Sequence, residues 1–326
     1  MHLSRVARRQ HRRIVGNRRL PGELQQLKAD VALLTERRYL AASAAEDDWY
    51  LRNILQEDHL LQTALAELGL SAVRVDWSDK NQDWSAFRCA VFRTTWDYFD
   101  RKEEFSSWLD EVQHRTSLCN PAALVRWNMD KRYLADLEDR GVPIVPSRFI
   151  DRGTEFSLPE VLRDTGWDEA VIKPCVSGAA RHTYRVSPRN ASQMDVVVRQ
   201  LVRSEDLILQ PFVKTVLEYG EDSLMIFDGR FSHAVRKRAR PGDFRVQDDH
   251  GGTVHPLQPS AAQIELAERA IAACRPAAVY GRVDMVRLQH GQYAVMELEV
   301  IEPELWLRFH PPAAKAFAEA IAAWLK

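Results

Sequence analysis

The sequence predicts a mixed α/β fold, with an N-terminal parallel α/β domain followed by an α+β region of antiparallel strands. Three observations carry this. Apolar strands alternate with amphipathic stretches from Val31 onward, short strands bounded by turn residues dominate after Gly141, and 326 residues at 45% hydrophobic content can fill two or three folding units.

The first 28 residues stand apart, because MHLSRVARRQHRRIVGNRRL carries seven arginines and no acid. A transit peptide has such a composition, usually with added serines and an amphipathic helix, and a basic tail can touch nucleic acid. The reading adopted is a disordered extension, or a start assigned too far upstream, since the first convincing core strand opens at Val31.

Residues 29–120 form the predicted N-terminal domain. Its strands are VALLTE (31–36), SAVRV (71–75) and RCAVFRT (88–94). A helix from about Asp47 to Leu68 starts at Asp47 and Asp48 and keeps Ile54, Leu55, Leu61, Leu65 and Leu68 at helical spacing; a second lies around 102–114. No G-x-G-x-x-G follows the first strand, so a dinucleotide has no close backbone approach for its pyrophosphate. Ligands of open α/β sheets sit beyond the carboxyl ends of the strands, where RTTWDY makes Arg93, Trp96 and Tyr98 substrate candidates. The rival reading packs these aromatics on the neighbouring domain and pairs Arg93 with Asp97.

Residues 121–210 open with one helix predicted from near Pro121 to about Gly141, then the strands VPSRFI, AVIKPCV and HTYRV, a helix near 191–203, and LILQPFV. Within them VIKPCVSGAARHTYRV (171–186) carries a lysine into a small-residue loop, alone a weak phosphate-loop signal.

Residues 211–326 hold the most informative stretch, GRVDMVRLQHGQYAVMELEVIEPEL (281–305). A two-residue turn at His290 and Gly291 pairs Gln289 with Gln292 and Leu288 with Tyr293, which sets Asp284 opposite Glu297 and leaves Glu299 on the same face. Three carboxylates on one patch repel, so something positive must sit among them. The reading adopted is a hard divalent cation, which takes oxygen ligands; the alternative is Arg282, on the same face of its strand. A basic strand in SHAVRKRARPGDFRVQ (232–247) puts Lys237 on one face and Arg236 with Arg238 on the other, with Arg245 on the next strand. Such a run is either a solvated face or a set of cations for a polyphosphate.

Composition narrows the function classes. Lysine plus arginine number 45 against 46 acids, so no global field recruits nucleic acid or anionic lipid. Cys89, Cys119, Cys175 and Cys274 form no C-x-x-C pair, which argues against a zinc site or disulfide framework and for a reducing cytoplasm. No run reaches the roughly 18 to 20 apolar residues of a membrane span.

The ordered motifs NMDKRYL (128–134), VIKP (171–174), LQPFV with EYGEDSL (209–224), KRARPGDFRVQ with HGG (237–252), and RVDMV with MELEVIEP (282–303) resemble those of the ATP-grasp superfamily. Within it the chain is similar to glutathione synthetase-like and ribosomal-protein-modifying ligases, and most closely to the cyclo-ligase type that forms D-cycloserine. The resemblance runs from Val31 onward and implies two lobes that clamp ATP. It implies that Lys131 and Lys173 hold the α and β phosphates, that Ser177, Gly178 and Thr183 belong to a phosphate-covering lid, and that Gln210, Pro211 and Phe212 meet adenine at the hinge. Glu221 would bind ribose, Lys237 and Arg245 would face the γ-phosphate and acyl phosphate with Arg282 beside them, and Asp284, Glu297 and Glu299 would hold one or two Mg2+ ions, with Mn2+ an alternative. Two positions depart from the family pattern. Glu299 stands where many relatives carry asparagine, and the lid has only Gly178 where many relatives are richer in glycine.

The implied activity is an ATP-dependent carboxylate-amine ligase working through an acyl phosphate on a small amino-acid-like substrate, with an intramolecular version open. Phosphoryl transfer relies on positioning and charge neutralisation, which suits lysines, arginines and carboxylates in place of a triad. His182, His233 and His310 show no triad or metal spacing. The alternatives are a small-molecule kinase on the same fold and a non-catalytic ATP-binding protein. Expected partners are small carboxylate and amine molecules, in a cytoplasmic protein that takes neither membrane nor nucleic acid; a homodimer is compatible with the sequence.

Overall fold

In the computed structural model, which describes residues 29–178, 180–246 and 251–326, the chain builds three sheets one after another. The basic run over residues 1–28 lies outside the described residues.

The first sheet contains β1 (Val31–Thr35), α1 (Trp49–Glu67) as a crossover, β2 (Ala72–Asp76), β3 (Cys89–Thr94), α2 (Lys102–Val112) and β4 (Ser117–Cys119). Its strands are parallel in the order β2-β1-β3-β4. Every residue of β1 and β3 is buried, as expected of parallel strands covered on both faces. The start of α1 falls where the aspartates predict it, with the Asp48 carboxylate accepting from the Leu51 N–H at 2.9 Å. The strand β4 was not foreseen, because three residues are too few to show a period.

The helix predicted as continuous over 121–141 is instead two, α3 (Ala122–Asn128) and α4 (Tyr133–Asp139). The Asp130 carboxylate accepts from the Arg132 N–H at 3.0 Å, a local turn that competes with the helical ladder. The Lys131 N–H goes to the Cys175 carbonyl at 2.9 Å, and this turns Lys131 toward the second sheet.

That sheet comprises β5 (Arg148–Ile150), α5 (Leu158–Thr165), β6 (Ala170–Pro174), β7 (Tyr184–Val186), α6 (Ala191–Val202) and β8 (Leu207–Pro211). Its antiparallel order is β5-β8-β6-β7. The unforeseen α5 had legible signals, a proline in its first turn and Gly166 at φ 66° closing it. Leu158, Leu162 and Val198 of the helices pack on Ile172 and Leu209 in a core of their own.

The third unit runs α7 (Val216–Tyr219), β9 (Glu221–Phe227), β10 (Arg230–Arg238), β11 (Thr253–Leu257), α8 (Ala261–Ala272), β12 (Tyr280–Arg287), β13 (Tyr293–Glu299) and α9 (Ala313–Trp324). Its sheet is antiparallel in the order β11-β10-β9-β12-β13. Arg245 does not lie on a strand. Asp243 accepts from the Arg245 N–H at 3.1 Å and from its Nη2 at 2.8 Å, folding the segment after Pro241 and Gly242 into turns.

The hairpin register holds for a reason other than the predicted one. Arg287 pairs with Tyr293 and Leu288 donates to the Gln292 carbonyl, so the loop is three residues long, not two. Gly291 takes φ 82° there, as a three-residue hairpin requires. A bulge between Asp284 and Met285 then absorbs Met296 and restores Asp284 opposite Glu297 and Arg282 opposite Glu299.

One core joins the first and third sheets. Val31, Leu33 and Cys89 pack in a cluster with Met225, Tyr280 and Phe317, with α9 completing it. Buried Asn120 closes the seam, its Nδ2 donating to the Tyr280 and Val300 carbonyls at 2.8 and 2.7 Å while its Oδ1 accepts from the Val279 N–H at 2.6 Å. Asn128 repeats the device at the Leu298 carbonyl and Val300 N–H, at 2.8 and 3.0 Å. Among the described residues no helix is long and apolar enough to cross a membrane.

Candidate active site

A cleft of about 930 Å³ opens between the three sheets, and its walls bring together residues more than 250 positions apart in sequence. The break between α3 and α4 supplies Lys131, β6 supplies Lys173, β10 supplies Lys237, and the β12–β13 hairpin supplies Arg282, Asp284, Glu297 and Glu299.

Most of these charges are already paired. Lys131 Nζ lies 3.0 Å from Glu297 Oε1 and donates to the Ser177 carbonyl at 2.8 Å. Lys237 Nζ lies 2.5 Å from Glu221 and 2.8 Å from Asp284. Asp284 also accepts from Arg282 Nε and Nη2, each at 2.9 Å, and from Ser223 Oγ at 2.6 Å, while Arg282 reaches on to Glu299. Lys173 makes no salt bridge with any described residue.

The electrostatic consequences follow from this pairing. Burial works to raise Asp284, but Arg282 and Lys237 overcome it and hold the carboxyl well below the usual range. Burial, then the neighbouring Glu297 and Asp284 against the opposing pull of Arg282, push Glu299 up to about 7. Burial also drives Glu302 well above the carboxylate range, with Glu299 adding to it. Burial lowers Lys173, with Lys131 reinforcing that and Glu297 opposing it.

Of the three carboxylates expected to hold metal, Asp284 is the one paired with two protein cations among the described residues. Both oxygens of Asp284 are taken by Arg282, Lys237 and Ser223, and among the described residues no three His, Cys, Asp or Glu side chains are grouped as a metal site. The alternative neutraliser, Arg282, sits among the carboxylates. Glu297 and Glu299, each 27% exposed, line the cleft as an all-oxygen donor pair, a donor set that suits a hard divalent cation.

The residues expected to form the lid and hinge all line the cleft. Ser177 Oγ donates to the Arg181 carbonyl at 3.0 Å, and Gly178 lies so close to Phe99 that a Cβ there would meet the ring at 2.5 Å. Arg181 ties the lid to Glu205 at 2.8 Å and across to Asp100 at 3.4 Å; Thr183 closes the loop. Gln210 Nε2 donates to Ser147 Oγ at 3.0 Å, Pro211 follows, and Phe212 meets Phe244 edge-on at 5.9 Å. Glu221 lines the cleft, paired with Lys237, and Arg245 lines it from its loop.

Of the three substrate candidates only Trp96 lines the main cleft. Arg93 is buried with its Nε 3.3 Å from Asp58, since α1 carries that carboxylate over the strand end; Asp97 goes to Arg101 and Trp77 instead. Tyr98 is buried against Phe105, ring centroids 5.1 Å apart. Sequence reasoning missed Glu36, Tyr39, Tyr50, Met296, Glu302 and Trp306, all of which line the cleft. Only Glu36 and Glu302 had a signal, as charged residues just beyond strands. Trp306 takes φ 46° and sets its indole under Arg282 and Lys237, 5.0 and 5.8 Å from the ring centre. Glu57 of α1 fixes that turn by accepting from the Leu307 and Arg308 N–H groups at 2.8 and 2.9 Å. His233 is buried, bonded to the Leu305 carbonyl, and burial brings it down to about 4.

Residues 31–120 match the family profile described as the N-terminal domain of D-cycloserine synthetase DcsG. Over 292 residues the chain is 37% identical to the cycloserine biosynthesis protein DcsG of Streptomyces lavendulae, spanning 82% of this chain and 93% of that one. The crystal structure of D-cycloserine synthetase DcsG superposes with a TM-score of 0.77 at 33% identity, covering 91% of this chain and 99% of that one. The D-alanine–D-alanine ligase of Bacillus anthracis complexed with ATP shares the fold, with a TM-score of 0.62 at 14% identity over 91% and 97% of the two chains.

Proposed function

Since the chain belongs to the D-cycloserine synthetase family of ATP-grasp ligases, we propose that it activates the carboxylate of a small amino-acid-like substrate as an acyl phosphate and closes a carbon–nitrogen bond on it. It is an ATP-dependent ligase with the ATP-grasp fold. The observation that carries the finer reading is Lys173, a cleft ammonium with no salt bridge among the described residues, beside Lys131 and Lys237, which are both paired. A polyphosphate supplies the missing charge.

In this reading a substrate carboxylate oxygen attacks the γ-phosphorus and the β–γ bridging oxygen leaves with ADP. An amine nitrogen then attacks the acyl carbon, phosphate departs with the bonding pair, and the nitrogen loses its proton. Lys131 and Lys173 grip the α and β phosphates from two sides, while Gln210, Pro211, Phe212 and Met296 enclose the base. Glu221 meets the ribose. Arg245, Lys237 and Arg282 hold the transferred phosphoryl and so stabilise charge where it develops. Glu297 and Glu299 would hold Mg2+, which supplies charge neutralisation at the phosphates when bound, with Asp284 orienting Arg282 and Lys237 behind them. Amine and carboxylate belong to one molecule in the cyclising form. The three sheets support a division into 29–120, 121–210 and 211–326.

Trapping tests the reading. With hydroxylamine present, a carboxylate that is turned over should appear as its hydroxamate alongside ADP; turnover with phosphorylated product and no hydroxamate would make the protein a kinase instead.

A further inference from the structure

The N-terminal wall of the cleft has a chemistry unlike that of its phosphate-facing lysines. The rings of Tyr39, Tyr50 and Trp96 stand in a triangle with centroids 5.7 to 6.0 Å apart. The Trp96 indole N–H donates to the Glu302 carbonyl oxygen at 2.9 Å, which fixes ring and residue side by side. The Glu302 carboxyl lines the same cleft and makes no salt bridge with any described residue. The wall already receives a cation: Arg38, 67% exposed and paired with Glu36, places its guanidinium 4.5 Å over the Tyr39 ring.

We propose that Glu302 and the Tyr39–Tyr50–Trp96 wall form the subsite for an ammonium group on the substrate, selecting an amine-bearing carboxylic acid over its des-amino analogue. The proposal rests on the ligase reading above. Aromatic faces attract cations through the ring quadrupole, and a carboxyl shielded from water without a cation recovers its desolvation cost only when one arrives. The two features together reward a protonated amine and give nothing to hydrogen in its place. Of the substrate candidates in RTTWDY, Arg93 is held by Asp58 away from this cleft while Trp96 stays on its wall, among aromatic and carboxyl-bearing side chains.

The test is to titrate D-cycloserine, a ring bearing a primary amine, and isoxazolidin-3-one, the same ring without it, into the full chain with ADP and Mg2+. The amine-bearing ring should bind at least about tenfold more tightly. Glu302→Gln should abolish that preference and Trp96→Leu should reduce it about threefold, both with ADP affinity unchanged, which also shows that the variants fold. Equal binding of the two rings, or a Glu302→Gln chain that keeps the preference, overturns the subsite and leaves the ligase reading standing. A chain that binds ADP but neither ring also overturns it. Failure to bind ADP overturns the ligase reading itself.

Discussion

Lys173 and Asp284 sit in one cleft under opposite conditions, and their removal should have opposite effects. Lys173 has no salt-bridge partner among the described residues, so Lys173→Ala should weaken ADP binding about 10- to 100-fold by calorimetry while leaving the melting temperature unchanged or raised. Asp284 holds two buried cations, so Asp284→Asn should cost about 3 kcal/mol or more of stability in denaturant titration. Glu299 gives the pH dependence. Its folded-state value is raised from the ordinary 4.5 to about 7, so its charge leaves the metal-free fold unpenalised below 4.5 and costs stability increasingly as pH rises to about 7. Mg2+ on Glu299 should offset that cost, and the melting-temperature gain on adding Mg2+ should be larger at pH 8 than at pH 5.5; equal gains would place the ion elsewhere.

At the scale of elements, the lid between β6 and β7 explains its own shortage of glycine. Gly178 is where the Phe99 ring comes closest, so glycine there serves contact between sheets rather than loop freedom. Gly178→Ala should slow ADP release or turnover about fivefold, and Phe99→Leu in the same chain should restore it. The charged residues of the cleft were legible because charge at strand spacing leaves a trace: Lys237 and Arg236 fall on opposite faces of β10, and Asp284 does face Glu297. That pairing came out right through two compensating departures, a longer loop and a bulge, neither of which alternation can reveal. Arg93 was misplaced because its partner Asp58 comes from a helix 35 residues away in sequence, a tertiary contact without local signature. Trp306 and Tyr39 were missed for the same reason: nothing beside them in sequence says that Glu57 will hold the turn after Trp306 or that Trp96 will meet Tyr39.

The whole molecule divides unevenly. The first and third sheets share a core through Phe317, Tyr280 and Leu33, whereas the second has its own around Ile172, Leu209 and Val198. Asn128→Ala, which leaves the Leu298 carbonyl and Val300 N–H unpaired, should therefore destabilise the shared body by about 2–3 kcal/mol in chemical denaturation. Removing residues 1–28 should leave ADP release intact, because every residue lining the cleft lies between Glu36 and Trp306. The shared core also bears on protein engineering. Asn120 sews the end of the first sheet to the backbone of the third, and α9, the last helix in sequence, lies against the first, so the N-terminal unit is not a cassette. A chimera that exchanges residues 29–120 with a relative's would cut across that seam and must carry α9 with it, whereas new substrate preferences can be grafted one aromatic side chain at a time onto a frame left whole.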